Sequence, residues 1–124
     1  MASYNELPIY KSLHDLILLI LQRLKDVPKD YKYSLVEPMI GDCREMLRKL
    51  FRVNSIPDKA QLIREFIDSV EIVKANVRIL KDVGCIPVKV MAEISPKLEG
   101  ISRQAYGWLR SVEPDAVIYG YSQS

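Results

Sequence analysis

The stretch from Leu62 to Gly84, LIREFIDSVEIVKANVRILKDVG, limits the possible folds of this chain more than any other segment. Leu62, Phe66, Val70, Val73, Val77 and Leu80 recur at steps of four, four, three, four and three, which places them on one apolar seam of an α-helix. Lys74, Arg78 and Lys81 recur at four and three and form a short basic row away from that seam. A helix of this kind requires partner helices to cover it, and a basic row is what an RNA or an acidic protein could grip.

Three further segments carry the same periodicity. The first predicted helix runs from about Pro8 to Lys25, with Pro8 in the first turn, where its missing N–H costs nothing. Leu13, Leu16, Ile17, Ile20 and Leu24 make its inward stripe, and Leu18, Leu19 and Leu21 widen the apolar surface beyond it. That extra surface fits either a central, well-covered helix or one that meets another subunit. A cap at Asp26 and a start at Pro28 open the second predicted helix, which extends to about Val53 with Leu35, Met39, Cys43, Met46 and Leu50 inward. Pro38 lies inside this pattern and predicts a kink or break near Val36. Asn54 to Asp58 is a turn with its own cap. The Leu62–Gly84 stretch belongs to a third helix from about Lys59 to Val83, ended by Gly84 in the left-handed conformation. The fourth predicted helix spans about Pro87 to Arg110 and carries Val90, Met91, Ile94, Leu98, Ile101, Ala105, Trp108 and Leu109, with Pro96 and Gly100 weakening its middle.

No period-2 strand pattern of any length is present. Helices of about 18 to 25 residues, roughly 27 to 37 Å long and joined by short links, predict an all-α, up-down-up-down four-helix bundle over residues 1–111. The tail, residues 112–124, is expected to be disordered or to dock as an extended segment, with disorder favoured. At 124 residues, 48% apolar and 27% charged, the composition is that of an ordinary soluble domain with a real core. Six residues, Leu16 to Leu21, form the longest apolar run, far short of the ~20 a membrane span needs. MASYNELPIYK has no basic patch before a long apolar core, so no signal peptide is expected and the reading is cytoplasmic.

Net charge is +2, too mild to indicate nucleic acid alone. Residues 111–124 hold Glu113 and Asp115 and no Lys or Arg, which leaves 18 basic against 14 acidic residues, or +4, in the body. The two cysteines, Cys43 and Cys85, sit in no CxxC pair and a single His cannot complete a zinc set, so two buried free thiols and no metal are expected. His14 and Asp15 are adjacent, but helical neighbours point about 100° apart and do not make a catalytic pair. With no Gly-rich phosphate loop, no HExxH and no Glu-x-x-His, neither catalytic residues nor a cofactor are expected.

The basic rows are the remaining candidates. Arg44, Arg48 and Arg52 recur every four residues, with Lys49 beside them, opposite the second helix's apolar stripe. Lys74, Arg78 and Lys81 form the second row. Glu45 can pair with Lys49, Glu71 with Lys74 and Asp82 with Arg78, so a solvated charged face would give the same pattern. The arginine row is the less neutralised of the two, and the planar fork of Arg suits phosphate.

Short segments in a particular order carry a resemblance. LPIY followed by His14-Asp15-Leu16 opens the chain; Pro28-Lys29 and Tyr31 come next; then Leu62, Arg64 and Glu65; then Arg78-Ile79-Leu80-Lys81-Asp82-Val83-Gly84; and finally Gly107-Trp108-Leu109-Arg110-Ser111. Over about residues 7–111 this resembles the accessory variability determinant proteins of diversity-generating retroelements. Those belong to a wider group of four-helix bundle proteins that includes ones encoded by intervening sequences within bacterial large-subunit ribosomal RNA genes. The resemblance implies a non-catalytic homo-oligomer, a pentamer with a basic surface, that binds a reverse transcriptase and RNA. It places nucleic-acid contacts at Lys74, Arg78 and Lys81, with a looser match at Arg44, Arg48 and Arg52, so the second row is expected to lead. The alternative is a structural or protein-interaction bundle of the ribosomal intervening-sequence type with no RNA role.

Overall fold

The computed structural model describes residues 7–113. Their elements are α1 (Pro8–Arg23), α2 (Lys29–Tyr31), a π-helical segment (Lys32–Val36), α3 (Glu37–Arg52), α4 (Lys59–Asp82) and α5 (Val88–Val112). α2, the π segment and α3 follow one another without a gap, so the described residues form four helical rods and no strand. α4 lies against α3 on one side and α5 on the other, and α1 closes the arrangement against α5 and α3.

The helix ends follow from local chemistry. The Asp58 carboxylate accepts a hydrogen bond from the Gln61 N–H at 3.0 Å and caps α4, as expected. Gly84 has φ of 82°. The Cys85 N–H reaches the Leu80 carbonyl at 2.8 Å and the Gly84 N–H reaches that of Lys81 at 3.0 Å, the paired bonds that close a helix through a left-handed residue. Asp26 caps nothing: α2 starts after Pro28, with no side-chain cap. α1 stops at Arg23 and α5 continues to Val112, each two residues from the expected end.

The two prolines inside helical patterns are accommodated differently. Before Pro38 the helical run continues without a break. It widens into the π segment, where the Glu37 N–H bonds the Lys32 carbonyl five residues back. The wider turn relieves the clash between the proline ring and the preceding carbonyl. Pro96 sits inside α5, which runs on through it; both Pro96 and Ala92 are exposed, so water can satisfy the carbonyl that loses its donor.

Burial follows the predicted stripes. Leu13, Leu16, Ile20 and Leu24, then Met39, Cys43, Met46 and Leu50, are buried, and so is every residue of the α4 seam. α4 buries a second column that the seam did not include, Ile63 and Ile67. Phe66 is fully buried and meets the half-buried Trp108 edge-on, with ring centroids 6.4 Å apart at 76°. Ser102 is the exception: its hydroxyl is buried without a hydrogen-bond partner. Leu18 and Leu21 are exposed, whereas Ile17 and Leu19 are half-buried against the core.

Both cysteines are free, but only Cys43 is buried; Cys85, just past the helix end, is half-buried. Burial pushes the Cys43 thiol up to about 12 from 9.0, with the nearby Asp42 charge adding to the rise. This folded-state increase contributes stability in full below about pH 9 and loses it as pH rises toward about 12.

Two measurements check this core. A thiol reagent at pH 8 should label Cys85 quickly in the folded protein and Cys43 only after unfolding, as read by mass spectrometry. Ser102→Ala removes an unpaired buried hydroxyl and raises helix propensity, so the thermal midpoint should rise, by about 1 kcal/mol of stability. A lower midpoint would mean the hydroxyl is bonded in solution.

Candidate nucleic-acid interface

The arginine row lies along α3, which is inserted between α1 and α4. Arg44, Arg48 and Arg52 are all exposed, because the buried stripe of Met39, Cys43, Met46 and Leu50 turns them outward. Glu45 pairs with Arg48 and, at 3.9 Å, with the half-buried Lys49. Among the described residues no carboxylate lies within ion-pairing distance of Arg44 or Arg52. Arg48 stands on a rib between two grooves. On the α4 side, a groove of about 250 Å³ contains Arg48, Lys49 and Arg52 together with Glu45, Asp58 and Glu65. On the α1 side, a groove of about 290 Å³ is lined by Tyr10, Arg44, Leu47, Arg48 and Phe51, with no acidic residue.

The second row has a different environment. Lys74 leans into the seam between α4 and α5, its side chain 21% exposed, with Glu71 at 3.4 Å and Glu99 of α5 at 3.1 Å. Arg78 is 78% exposed and lies 4.0 Å from Asp82, which also has Lys81 at 3.7 Å. All three cations of this row therefore have carboxylate partners. Only Arg78 projects strongly into solvent. The helical-neighbour pairs read from the sequence are present, and the Lys74–Glu99 contact adds a cross-helix pair that spacing within one helix could not reveal.

Phe51 and Tyr10 were not among the predicted site residues. The signal for Phe51 is its phase: it follows Leu50 directly and so falls about 100° from the buried stripe, where an apolar side chain has no core to enter. It is 66% exposed. Another groove, of about 460 Å³, lies where α1 begins and α5 ends, with Ile9, Val53, Lys59, Trp108 and Val112 on its walls. Glu113, just after α5, pairs with Arg64 near the start of α4.

His14 Nδ1 and Asp15 Oδ1 are 3.8 Å apart, beyond hydrogen-bond distance, and both side chains are about half exposed. Among the described residues no group of three His, Cys, Asp or Glu side chains could hold a metal ion, and no helix is long and apolar enough to cross a membrane. No protein-family model, no curated protein and no solved structure matches the chain.

The charge geometry separates the two rows by stability. Lys74→Ala leaves Glu71 and Glu99 facing each other across the α4–α5 seam, and should cost about 1 kcal/mol at low salt. Arg78→Ala and Arg44→Ala should leave the thermal midpoint unchanged. Raising the salt to about 0.5 M should shrink the Lys74→Ala deficit, because screening weakens both the original ion pairs and the new repulsion.

Proposed function

We propose that this protein is a non-catalytic accessory protein of a diversity-generating retroelement. In this reading it binds structured RNA and a reverse transcriptase through basic helix faces, and acts as a homo-oligomer, with a pentamer favoured. The single observation that carries the RNA part is the exposed arginine row of α3, in which Arg44 and Arg52 have no carboxylate within ion-pairing distance among the described residues. The retroelement part rests on the ordered resemblance of segments from LPIY to GWLRS.

The proposal includes an up-down-up-down run of the four rods. The side-chain links support it. Ser12 near the start of α1 accepts from Gln104 late in α5, at 2.9 Å, and Arg23 at the end of α1 donates to Glu93 early in α5, at 3.0 and 3.2 Å. Arg64 near the start of α4 pairs with Glu113 after the end of α5. Self-association draws support from Leu18 and Leu21, exposed leucines on the outer side of α1 that one bundle core does not cover. A cytoplasmic location belongs to the same proposal.

The neutralised second row favours one rival, a structural or protein-interaction bundle with no RNA role. With Lys74, Arg78 and Lys81 each beside a carboxylate, their net field is small, and the arginine row takes the lead in RNA contact.

Binding of a structured RNA should be sequence-tolerant and steeply salt-dependent. Changing Arg44, Arg48 and Arg52 together to Ala should weaken it and reduce the log–log salt slope by about 0.7 to 0.9 for each phosphate that is no longer neutralised. The Lys74, Arg78 and Lys81 triple variant should have the smaller effect. RNA affinity equal to wild type in both variants would leave the structural reading. Light scattering near 14.3 kDa at micromolar concentration would remove the oligomer.

A further inference from the structure

The groove at one end of the bundle is lined unlike the others. It measures about 460 Å³ and sits where α1 begins, α3 and α5 finish and α4 starts. Leu7, Ile9, Val53, Trp108 and Val112 give it an apolar wall, and Lys59 is its one charged lining residue. The grooves beside Lys74, Arg52 and Arg44 each carry two or more charged residues. Among the described residues no carboxylate lies within ion-pairing distance of the half-buried Lys59. An apolar wall facing water forgoes the free energy of burial, and a half-buried ammonium beside it favours a carboxylate. The matching ligand is therefore an apolar segment with one acidic group.

The chain itself delivers such a segment to this place. Val112, the last residue of α5, lies on the groove wall. Glu113 then leaves the helix with φ of −151°, its carboxylate paired with Arg64. Pro114 follows, and its ring prevents the helix from resuming. Next come Asp115 and the run Ala-Val-Ile-Tyr, and no Lys or Arg occurs between residues 111 and 124. An acidic group followed by an apolar run complements a groove with one cation and an apolar wall. Val117 and Ile118 are β-branched and favour an extended backbone, in which the five steps from Glu113 to Ile118 span up to about 17 Å. Packed helices lie about 8–10 Å apart, so the segment is long enough to cross the end of the bundle.

We propose that residues 115–119 fold back into this groove and close the end of their own bundle, with Val117 and Ile118 on the wall beside Trp108 and the Asp115 carboxylate on Lys59. The inference is independent of the RNA-binding reading. Attachment through Glu113 holds the segment at an effective concentration in the millimolar range, so individually weak contacts suffice. The same arithmetic disfavours the tail of a second copy, which at micromolar protein is far more dilute. Residues 1–6 also join the described structure at this groove, through Leu7. Their sequence, Met-Ala-Ser-Tyr-Asn-Glu, offers no two adjacent large apolar side chains to fill it.

Trp108 is the only tryptophan of the chain, so its fluorescence, excited beyond tyrosine absorption, reads the groove directly. The experiment compares the full chain, its Val117→Asp, Ile118→Asp double variant and a chain ending at Glu113. Both altered forms should emit further to the red and be quenched more by acrylamide, and their thermal midpoints should fall by roughly 4–8 °C. A peptide of residues 114–124 at millimolar concentration should return the emission of the shortened chain toward the blue. Asp115→Lys should reproduce part of the red shift, and adding Lys59→Glu to it should reverse that part. Unchanged emission and quenching in the double variant overturn the proposal, whether or not the shortened chain folds. A red shift on removing residues 1–6, with none on losing the tail, gives the groove to the N-terminal segment instead and overturns it too. A scattering mass that falls from the full chain to the double variant places the tail on another copy and overturns closure within one bundle.

Discussion

Burial of the α4 seam is the constraint on which the other placements depend. α4 touches α3, α5 and the π segment, so its buried side chains are the common floor of the core. In its first half the seam is two columns wide, Leu62 with Ile63 and Phe66 with Ile67, and each such side chain stabilises the fold by about 1.5–3 kcal/mol when removed from water. In its second half the seam narrows to Val70, Val73, Val77 and Leu80, mostly β-branched, and Ile72 and Ile79 are left outside. The wide end coincides with the Phe66–Trp108 contact and the Arg64–Glu113 pair, so α4 is held most firmly where α5 finishes.

The charges are distributed by the same geometry. A cation beside a helix seam is close to the neighbouring helix and meets whatever that helix presents; Lys74 meets Glu99 in this way. A cation on an outer flank meets only its own helix, and Arg44 and Arg52 have no acidic residue at the right spacing. α3 and α4 each carry a net charge of +1, so the unevenness lies in the pairing of individual residues, Lys74, Arg78 and Lys81 beside carboxylates and Arg44 and Arg52 outside ion-pairing distance of one. The association with RNA proposed for this surface depends on that unevenness rather than on the total.

Much of the fold was legible because helical periodicity is a local property. The α4 seam, the Asp58 cap and the Gly84 stop could each be read within a few residues, and each is present in the structure. What could not be read depends on partners distant in sequence. Ile63 and Ile67 are buried because α4 has a helix on either side, which its own spacing does not announce. Cys85 was expected to be buried with Cys43, but it lies in the link after α4, where coverage depends on how the chain turns. The Lys74–Glu99 pair could not be read for the same reason, since Glu99 lies on another helix, 25 residues away from Lys74. The aromatic wall at Phe51 was visible only as a residue out of phase. Of the expected tail, 112–124, Val112 belongs to α5 and Glu113 pairs with Arg64, while Pro114 to Ser124 lie outside the described residues, and so does their expected disorder.

The π segment before α3 has a consequence for how this chain can vary. One extra residue in a turn acts as slack in the winding: residues upstream of Lys32 are rotated out of step with the stripe downstream, and none of Lys29 to Tyr31 is buried. The link from α1 is thereby geared loosely to α3. A lineage that gained or lost a residue around Val27 to Tyr33 could take up the change by tightening or widening this turn. Arg44, Arg48 and Arg52, about two, three and four turns further on, would keep their bearing relative to the core.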